Sequence, residues 1–266
     1  MVRIFGALIA HEALERARDR WVLISSALFA LLAGGISLYG RSAGDAAGVV
    51  AGPSMVTLAT FLVPLVALVL GHDAIVGERE RNTLGLLFTL PISRSGVLVA
   101  KYLGRALALV VAISCGMGVA SLGLAGGQRS VLIGLIPDTL LLGAAFLSIG
   151  VLLSVVCRRL ATAATLVVGT WFLMVLFYDL GLLALMVATD GAVSQDWVAG
   201  LISANPAGLY RTGLMVKLLG QTSLEDLGLT ATLPGPAARA AIWAAWIAGP
   251  LTLGGLLLHR PRAATR

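Results

Sequence analysis

The charged residues between positions 72 and 105 are the first place where this chain could do chemical or mechanical work. Glu78, Arg79, Glu80 and Arg81 make a dense charged turn, followed by Leu84, Leu87 and Phe88 at helical spacing and by Pro91, which ends the run. The spacing predicts a short amphipathic helix. Two readings fit it: a solvated loop with an interfacial helix, or a transmission helix whose apolar face docks into a groove on a soluble partner while its charges fix the orientation.

Other chemistry finds few residues. The lysines are Lys101 and Lys217, and neither closes a Gly-x-x-x-x-Gly-Lys-Ser/Thr loop, so the sequence has no phosphate cradle for ATP. His11, His72 and His259 lack the paired spacing of a metal site, and neither a His-Glu-x-x-His helix nor a Gly-x-Ser-x-Gly elbow occurs. Cys115 and Cys157 have no Cys-x-x-Cys spacing and read as small packing residues. Met55, Met117, Met174 and Met186 fall in apolar runs without a Met-x-x-Met pair, which favours flexible core filler over a copper path. We expect a chain with no catalytic residues that binds no metal or cofactor itself.

Asp138 and Asp179 each interrupt an apolar run. A carboxylate in hydrocarbon costs about 3 kcal/mol on insertion scales, so each must face protein, water or an interface. Asp138, next to Pro137, reads as an acid at a helix end. Asp179 reads as a candidate gate within the bundle. An intramembrane enzyme built on either acid would lack a recognisable nucleophile or metal pair.

The elements that must position these residues follow from composition. The 266 residues are 58% hydrophobic and 12% charged, with a mean hydropathy of +0.96. Soluble domains are about 45–50% apolar and about 25% charged, so both a water-soluble globule and a disordered chain are excluded. Runs of about 20 residues with few charges mark helices able to cross about 30 Å of hydrocarbon. Six such spans appear, at about 21–39, 50–71, 106–126, 131–157, 160–189 and 240–258. The first is 19 residues long and follows a leader that mixes acids with bases, so it reads as a retained helix rather than a signal peptide. In that leader Leu8, Ile9, Glu12, Leu14 and Glu15 are spaced for an amphipathic helix lying along the interface.

The net charge of +6 reflects topology. Fourteen basic residues fall on the side of the N terminus and five on the other, which places both termini in the cytoplasm and argues against nucleic acid as a partner. Two connections are longer than a bundle needs, a cytoplasmic coupling segment at 72–105 and an external segment at 190–239. The external one contains Asn205-Pro206, a helix-start signal with Asn as N-cap and Pro at the first turn. Leu209, Leu214, Met215 and Leu218 would form the apolar face that follows. This element either caps the outer mouth of the bundle or touches an external partner, with Trp197 and Tyr210 as aromatic anchors.

Taken together, Asp73-Ala-Ile-Val-Gly-Glu78, Leu90-Pro-Ile-Ser-Arg94 and Lys101-Tyr-Leu-Gly104 resemble the coupling segment of ABC-2 type permeases. Trp171-Phe-Leu-Met-Val-Leu-Phe-Tyr-Asp179 and Asn205-Pro-Ala-Gly-Leu-Tyr-Arg211 resemble the NosY subgroup, and the likeness covers nearly the whole chain. The resemblance implies an all-α membrane protein with the six-helix architecture of type-2 ABC exporter permeases, forming one transmembrane domain over 1–266 in the bacterial inner membrane. It also implies a homodimer, a pair of cytoplasmic NosF-like ATPases carrying the ATP and Mg, and a periplasmic NosD-like β-helical partner that handles copper. Carried over residue by residue, Glu78, Arg79, Glu80, Arg81, Thr83, Leu84, Pro91 and Arg94 fall on the ATPase-facing segment. Asn205, Pro206, Tyr210 and Arg211 fall on the periplasmic motif. The family's turn is more acidic, and Arg79 and Arg81 depart from it. The function so implied is coupling of ATP hydrolysis in partner subunits to transport or conformational work, for copper-site maturation of nitrous oxide reductase. The alternative is a generic ABC-2 exporter permease for a drug, lipid or other small molecule.

Overall fold

Backbone N–H and C=O groups find no water in hydrocarbon, so a chain this apolar must satisfy them within its own segments, and helices do so. A computed structural model of the protein describes residues 2–17, 45–122, 126–219 and 234–259, with isolated helical positions 24, 27, 30, 31, 34 and 35. The described residues are helical throughout apart from turns. In chain order they form α1 (Val2–Ala17), α2 (Asp45–Gly71), α3 (Val76–Glu80), α4 (Leu84–Leu87), α5 (Arg94–Leu122), α6 (Gly126–Gly134), α7 (Ile136–Val156) and α8 (Leu160–Trp171). A π-helical turn, Phe172–Phe177, joins α8 to α9 (Tyr178–Ala188), and α10 (Gln195–Ala204), α11 (Pro206–Leu219) and α12 (Pro236–His259) complete the chain.

Five segments are long and apolar enough to cross a membrane, Gly52–Glu80, Arg94–Val119, Leu132–Val156, Leu160–Ala188 and Pro236–His259. They match the second to sixth spans expected from hydropathy. The first, 21–39, lies outside the described residues except at its isolated positions. The largest correction is to the third, expected at 106–126: α5 begins at Arg94, so the coupling segment closes at 93 rather than 105. Lys101 and Arg105 ended the apolar run in the sequence, but both are buried and paired with acids, and the helix continues through them.

The core is built around α7. It packs most extensively on α2 and α12 and also against α5. Leu142, Phe146, Leu147 and Val151 are fully buried along it. Lipid chains are as apolar as leucine, so close packing of small residues, rather than escape from water, holds such helices together. Gly71 and Gly150 show this at the crossing of α2 and α7. A Cβ on Gly71 would lie 2.8 Å from the Val151 nitrogen, and one on Gly150 would lie 2.8 Å from the Leu68 carbonyl.

The leader helix α1 inverts the expected amphipathic arrangement. Leu14 is 63% exposed, whereas Glu12 is buried against α5. Gly104 permits this approach, since a Cβ there would meet Glu12 Cβ at 2.6 Å. Glu12 turns inward because its counter-charges, Lys101 and Arg105, lie on α5, while His11 and Glu15 stay exposed.

Candidate functional site

Six charged side chains from four separated stretches meet at the foot of the bundle. Lys101 Nζ donates to Glu12 Oε2 and to Glu78 Oε1, each at 2.9 Å. Arg105 Nε donates to Glu12 Oε1 at 2.8 Å, and its Nη1 reaches Asp73 Oδ1 and the Leu70 carbonyl. Arg16 Nη2 pairs with Asp73 Oδ2 at 2.9 Å. Three carboxylates thus balance three cations, and the network joins α1, the end of α2, α3 and α5.

Balance matters because isolated charges cannot remain ionised at such depth. Burial alone would raise the Glu12 carboxyl, but Arg105, Lys101 and Arg16 outweigh it and hold the pKa below the usual carboxylate value.

The coupling turn is anchored to this network. α3 ends in a Schellman-type cap: Thr83 N donates to Glu78 O at 3.0 Å, and Asn82 N to Arg79 O at 3.2 Å. Asn82 occupies the left-handed position that such a cap requires, at φ 58°, where asparagine is tolerated. The Thr83 hydroxyl also donates to the Glu78 carboxylate. The Glu-x-x-x-x-Thr spacing is therefore the stereochemistry of the turn itself, because the cap brings the first and sixth residues together.

Further ties fix the turn to the rest of the bundle. Ser154 Oγ on α7 accepts from Ile75 N at 2.8 Å and Val76 N at 3.0 Å. Glu80 Oε1 accepts from Leu160 N at 2.7 Å, capping the start of α8, and Arg79 donates to the Cys157 carbonyl. Arg94 lies 5.1 Å from the Phe88 ring centroid and donates to Leu258 O on α12 at 3.1 Å.

The apolar face of α4 points inward, contrary to the docking role expected for Leu84 and Leu87. Leu84 and Phe88 pack on the core and Leu87 is half-buried. Helical spacing identified the face but not what it faces, and the bundle's own core claims it. The exposed tip instead comprises Glu80, Arg81, Asn82, Gly85, Leu86, Thr89 and Pro91, with Leu86 69% exposed.

At the opposite end of the bundle, Asn205 caps α11 by accepting from Ala207 N at 2.9 Å. Its Nδ2 donates to Met174 O in the π-helical turn at 2.7 Å, tying the start of α11 to that turn. Asn205, Pro206 and Tyr210 are buried, and the Tyr210 hydroxyl lies 3.0 Å from Thr139 Oγ1, with its pKa pushed up by burial. Their placement corrects the expectation of a partner-facing motif: these side chains hold the bundle together from within. Arg211 Nη1 pairs with Asp179 Oδ2 at 2.6 Å, which accounts for an acid inside an apolar run. Trp197, on α10, is 72% exposed.

The sequence matches the model of the ABC-2 family of transporter proteins over residues 7–261. The chain belongs to the ABC-2 family of transporter permeases. Two relatives are named probable ABC transporter permease protein NosY. The one from Stutzerimonas stutzeri is 38% identical over 268 residues, covering 94% of this chain and 95% of the relative. The one from Pseudomonas aeruginosa is 37% identical over 275 residues, covering 97% and 99% respectively.

Of the coupling residues expected from sequence, the permease brings Glu78 and Thr83 into the cap, ties Arg79 and Glu80 to the α7–α8 junction, and leaves Arg81 and Pro91 at the tip. Glu12, Arg16, Asp73, Lys101 and Arg105 were not among the candidates. Glu12 lies 89 positions from Lys101 and 93 from Arg105, so no local pattern joins them. The available signal was charge inside apolar helices: Lys101 and Arg105, four apart on one face, had to find carboxylates somewhere. Among the described residues no group of three or more His, Cys, Asp or Glu side chains could hold a metal.

Proposed function

We propose that this permease takes up work from separate cytoplasmic ATPase subunits at the tip formed by Arg81, Asn82, Gly85 and Leu86, and passes it into the bundle. The observation that supports this most is the ion network, which clamps an exposed turn to α1, α2 and α5 at once. A push on the tip cannot move α3 without moving its partners. ATP and Mg belong on the partner ATPases, and both termini lie on the cytoplasmic side with the tip. The exposed apolar stripe of Leu173, Phe177, Leu180, Leu183 and Val187 fits a homodimer seam or lipid in the inner membrane.

The NosY names of the relatives support a finer reading. On this reading the work serves copper-site maturation of nitrous oxide reductase, with a NosF-like ATPase pair and a periplasmic NosD-like protein contacted through Trp197 and Arg211. Asp179, through its pair with Arg211, would gate the outer end.

Co-purification tests the docking surface. Arg81→Glu with Leu86→Asp should abolish recovery of the ATPase subunit while the chain remains inserted and folded, because neither side chain is packed in the core. Undiminished association removes the assignment. A strain lacking the chain should yield nitrous oxide reductase deficient in copper. A fully loaded reductase would leave the generic exporter reading in its place.

A further inference from the structure

A cavity of about 300 Å³ opens at the end of α7 opposite the coupling turn, lined among others by Asp138, Tyr210, Lys217, Arg239 and Trp243. Three helices build it: α7 supplies Asp138, α11 supplies Tyr210 and Lys217, and α12 supplies Arg239 and Trp243. Most of its polar groups are already satisfied. Lys217 Nζ donates to Asp138 Oδ2 at 3.2 Å and to Gly134 O at 3.1 Å, so that carboxylate and that ammonium neutralise each other. Tyr210 is bonded to Thr139.

Arg239 is the exception. Its Nε is closed off from solvent and has no hydrogen-bond partner, and among the described residues its guanidinium makes no ion pair. Arg239 as a whole is half-buried, so its guanidinium reaches the cavity, but an Nε–H closed off without an acceptor is costly. The location makes the cost larger, because Arg239 stands in the opening turns of the 24-residue α12, a helix with no acid in its first turn to offset the positive end of its dipole. Two sources of positive potential converge on one cavity, and its single carboxylate is already taken by Lys217.

An anion is the missing partner. The guanidinium fork matches the oxygens of a phosphate, and the cavity is several times larger than a halide needs. Trp243 and Leu209 give it an apolar wall of the kind found where headgroups meet acyl chains. We propose that this cavity binds a phosphate group, either on an anionic phospholipid headgroup or as free phosphate, with Arg239 as its ligand and Lys217 keeping the Asp138 carboxylate neutralised beside it. The proposal is independent of ATPase docking, which concerns the other end of the bundle.

The full-length chain in detergent supplies the test. Native mass spectrometry with added phosphatidylglycerol or phosphatidylcholine measures headgroup preference, and thermal unfolding in inorganic phosphate against chloride at equal ionic strength measures the free ion. Losing a charge-assisted bond should cut affinity about tenfold or more in Arg239→Gln. Arg239→Lys should retain part of it, and Arg129→Gln, which removes an exposed cation elsewhere, should change nothing. A phosphatidylglycerol preference lost in Arg239→Gln assigns the site to lipid. Stabilisation by inorganic phosphate that is lost in the variant, without a lipid preference, assigns it to the free ion. Equal retention of both lipids with no phosphate stabilisation overturns the proposal, as does native-like binding by Arg239→Gln. Should that variant fail to stay monodisperse, Arg239→Lys and Lys217→Gln carry the comparison, and native-like binding by both has the same overturning force.

Discussion

Replacing Glu12 by glutamine tests whether the ion network is a single energetic unit. The substitution is nearly isosteric, so it removes one negative charge and leaves three cations facing two carboxylates. Lys101 keeps Glu78 and Arg105 keeps Asp73 and the Leu70 carbonyl, so neither cation is stripped of every partner. Breaking a buried pair by removing one member costs about 3–5 kcal/mol, and these remaining partners place the loss near about 3 kcal/mol. Lys101→Met alone should cost a similar amount, because it leaves Glu12 and Glu78 close together without the ammonium between them. In the double variant the charges again balance, at two of each sign. The pair should then be less destabilising than the sum of the singles by about 1–3 kcal/mol. Denaturant unfolding in mild detergent, followed by tryptophan fluorescence, measures the cycle, and raising the salt should barely alter the coupling because the pair is shielded from solvent. Additivity within about 0.5 kcal/mol would refute the reasoning, since it would mean that Glu12 and Lys101 do not sense each other.

Acid should loosen the same network. The pKa of Glu12 is lowered on folding, so its contribution is complete above the unfolded value of 4.5 and declines as pH falls through the folded one. Stability should therefore hold from neutral pH to about 4.5 and then decline, and Glu12→Gln should flatten the decline in a pH series of unfolding curves. Asn205→Ala removes both the cap on Ala207 and the donor to Met174 O, and should cost about 1–3 kcal/mol in the same unfolding assay. A loss within about 0.5 kcal/mol would mean that Asn205 does not stitch the π-helical turn to α11.

Hydropathy made five of the long apolar helices legible because a run of that length and apolarity can satisfy its backbone only as a helix. It failed at the start of α5, where counting Lys101 and Arg105 as boundary residues overlooked that a charge can stay inside a helix if its counter-charge arrives from elsewhere. The charged turn from Glu78 to Arg81 and the short helix after it were legible in the sequence, but neither the cap that joins Glu78 to Thr83 nor the facing of the helix was. Periodicity placed Leu84 and Phe88 on one side, and only the three-dimensional arrangement shows that side to pack on the core. Asn205 was correctly marked as a cap. Its second bond, to Met174 O, depends on a π-helical turn 31 residues earlier, which has no signature in a run of apolar side chains.

The bare crossing of Gly71 and Gly150 bears on how two helices of this molecule are held apart. Where helices meet through interleaved leucines, a small displacement is absorbed as the intervening chains change rotamer. Here main chain rests on main chain within van der Waals distance, one residue before the coupling turn begins, and no soft layer lies between them. A side chain added at either glycine would therefore have to force the two helices apart, which makes this crossing the place where the spacing of α2 and α7 is set by main chain alone.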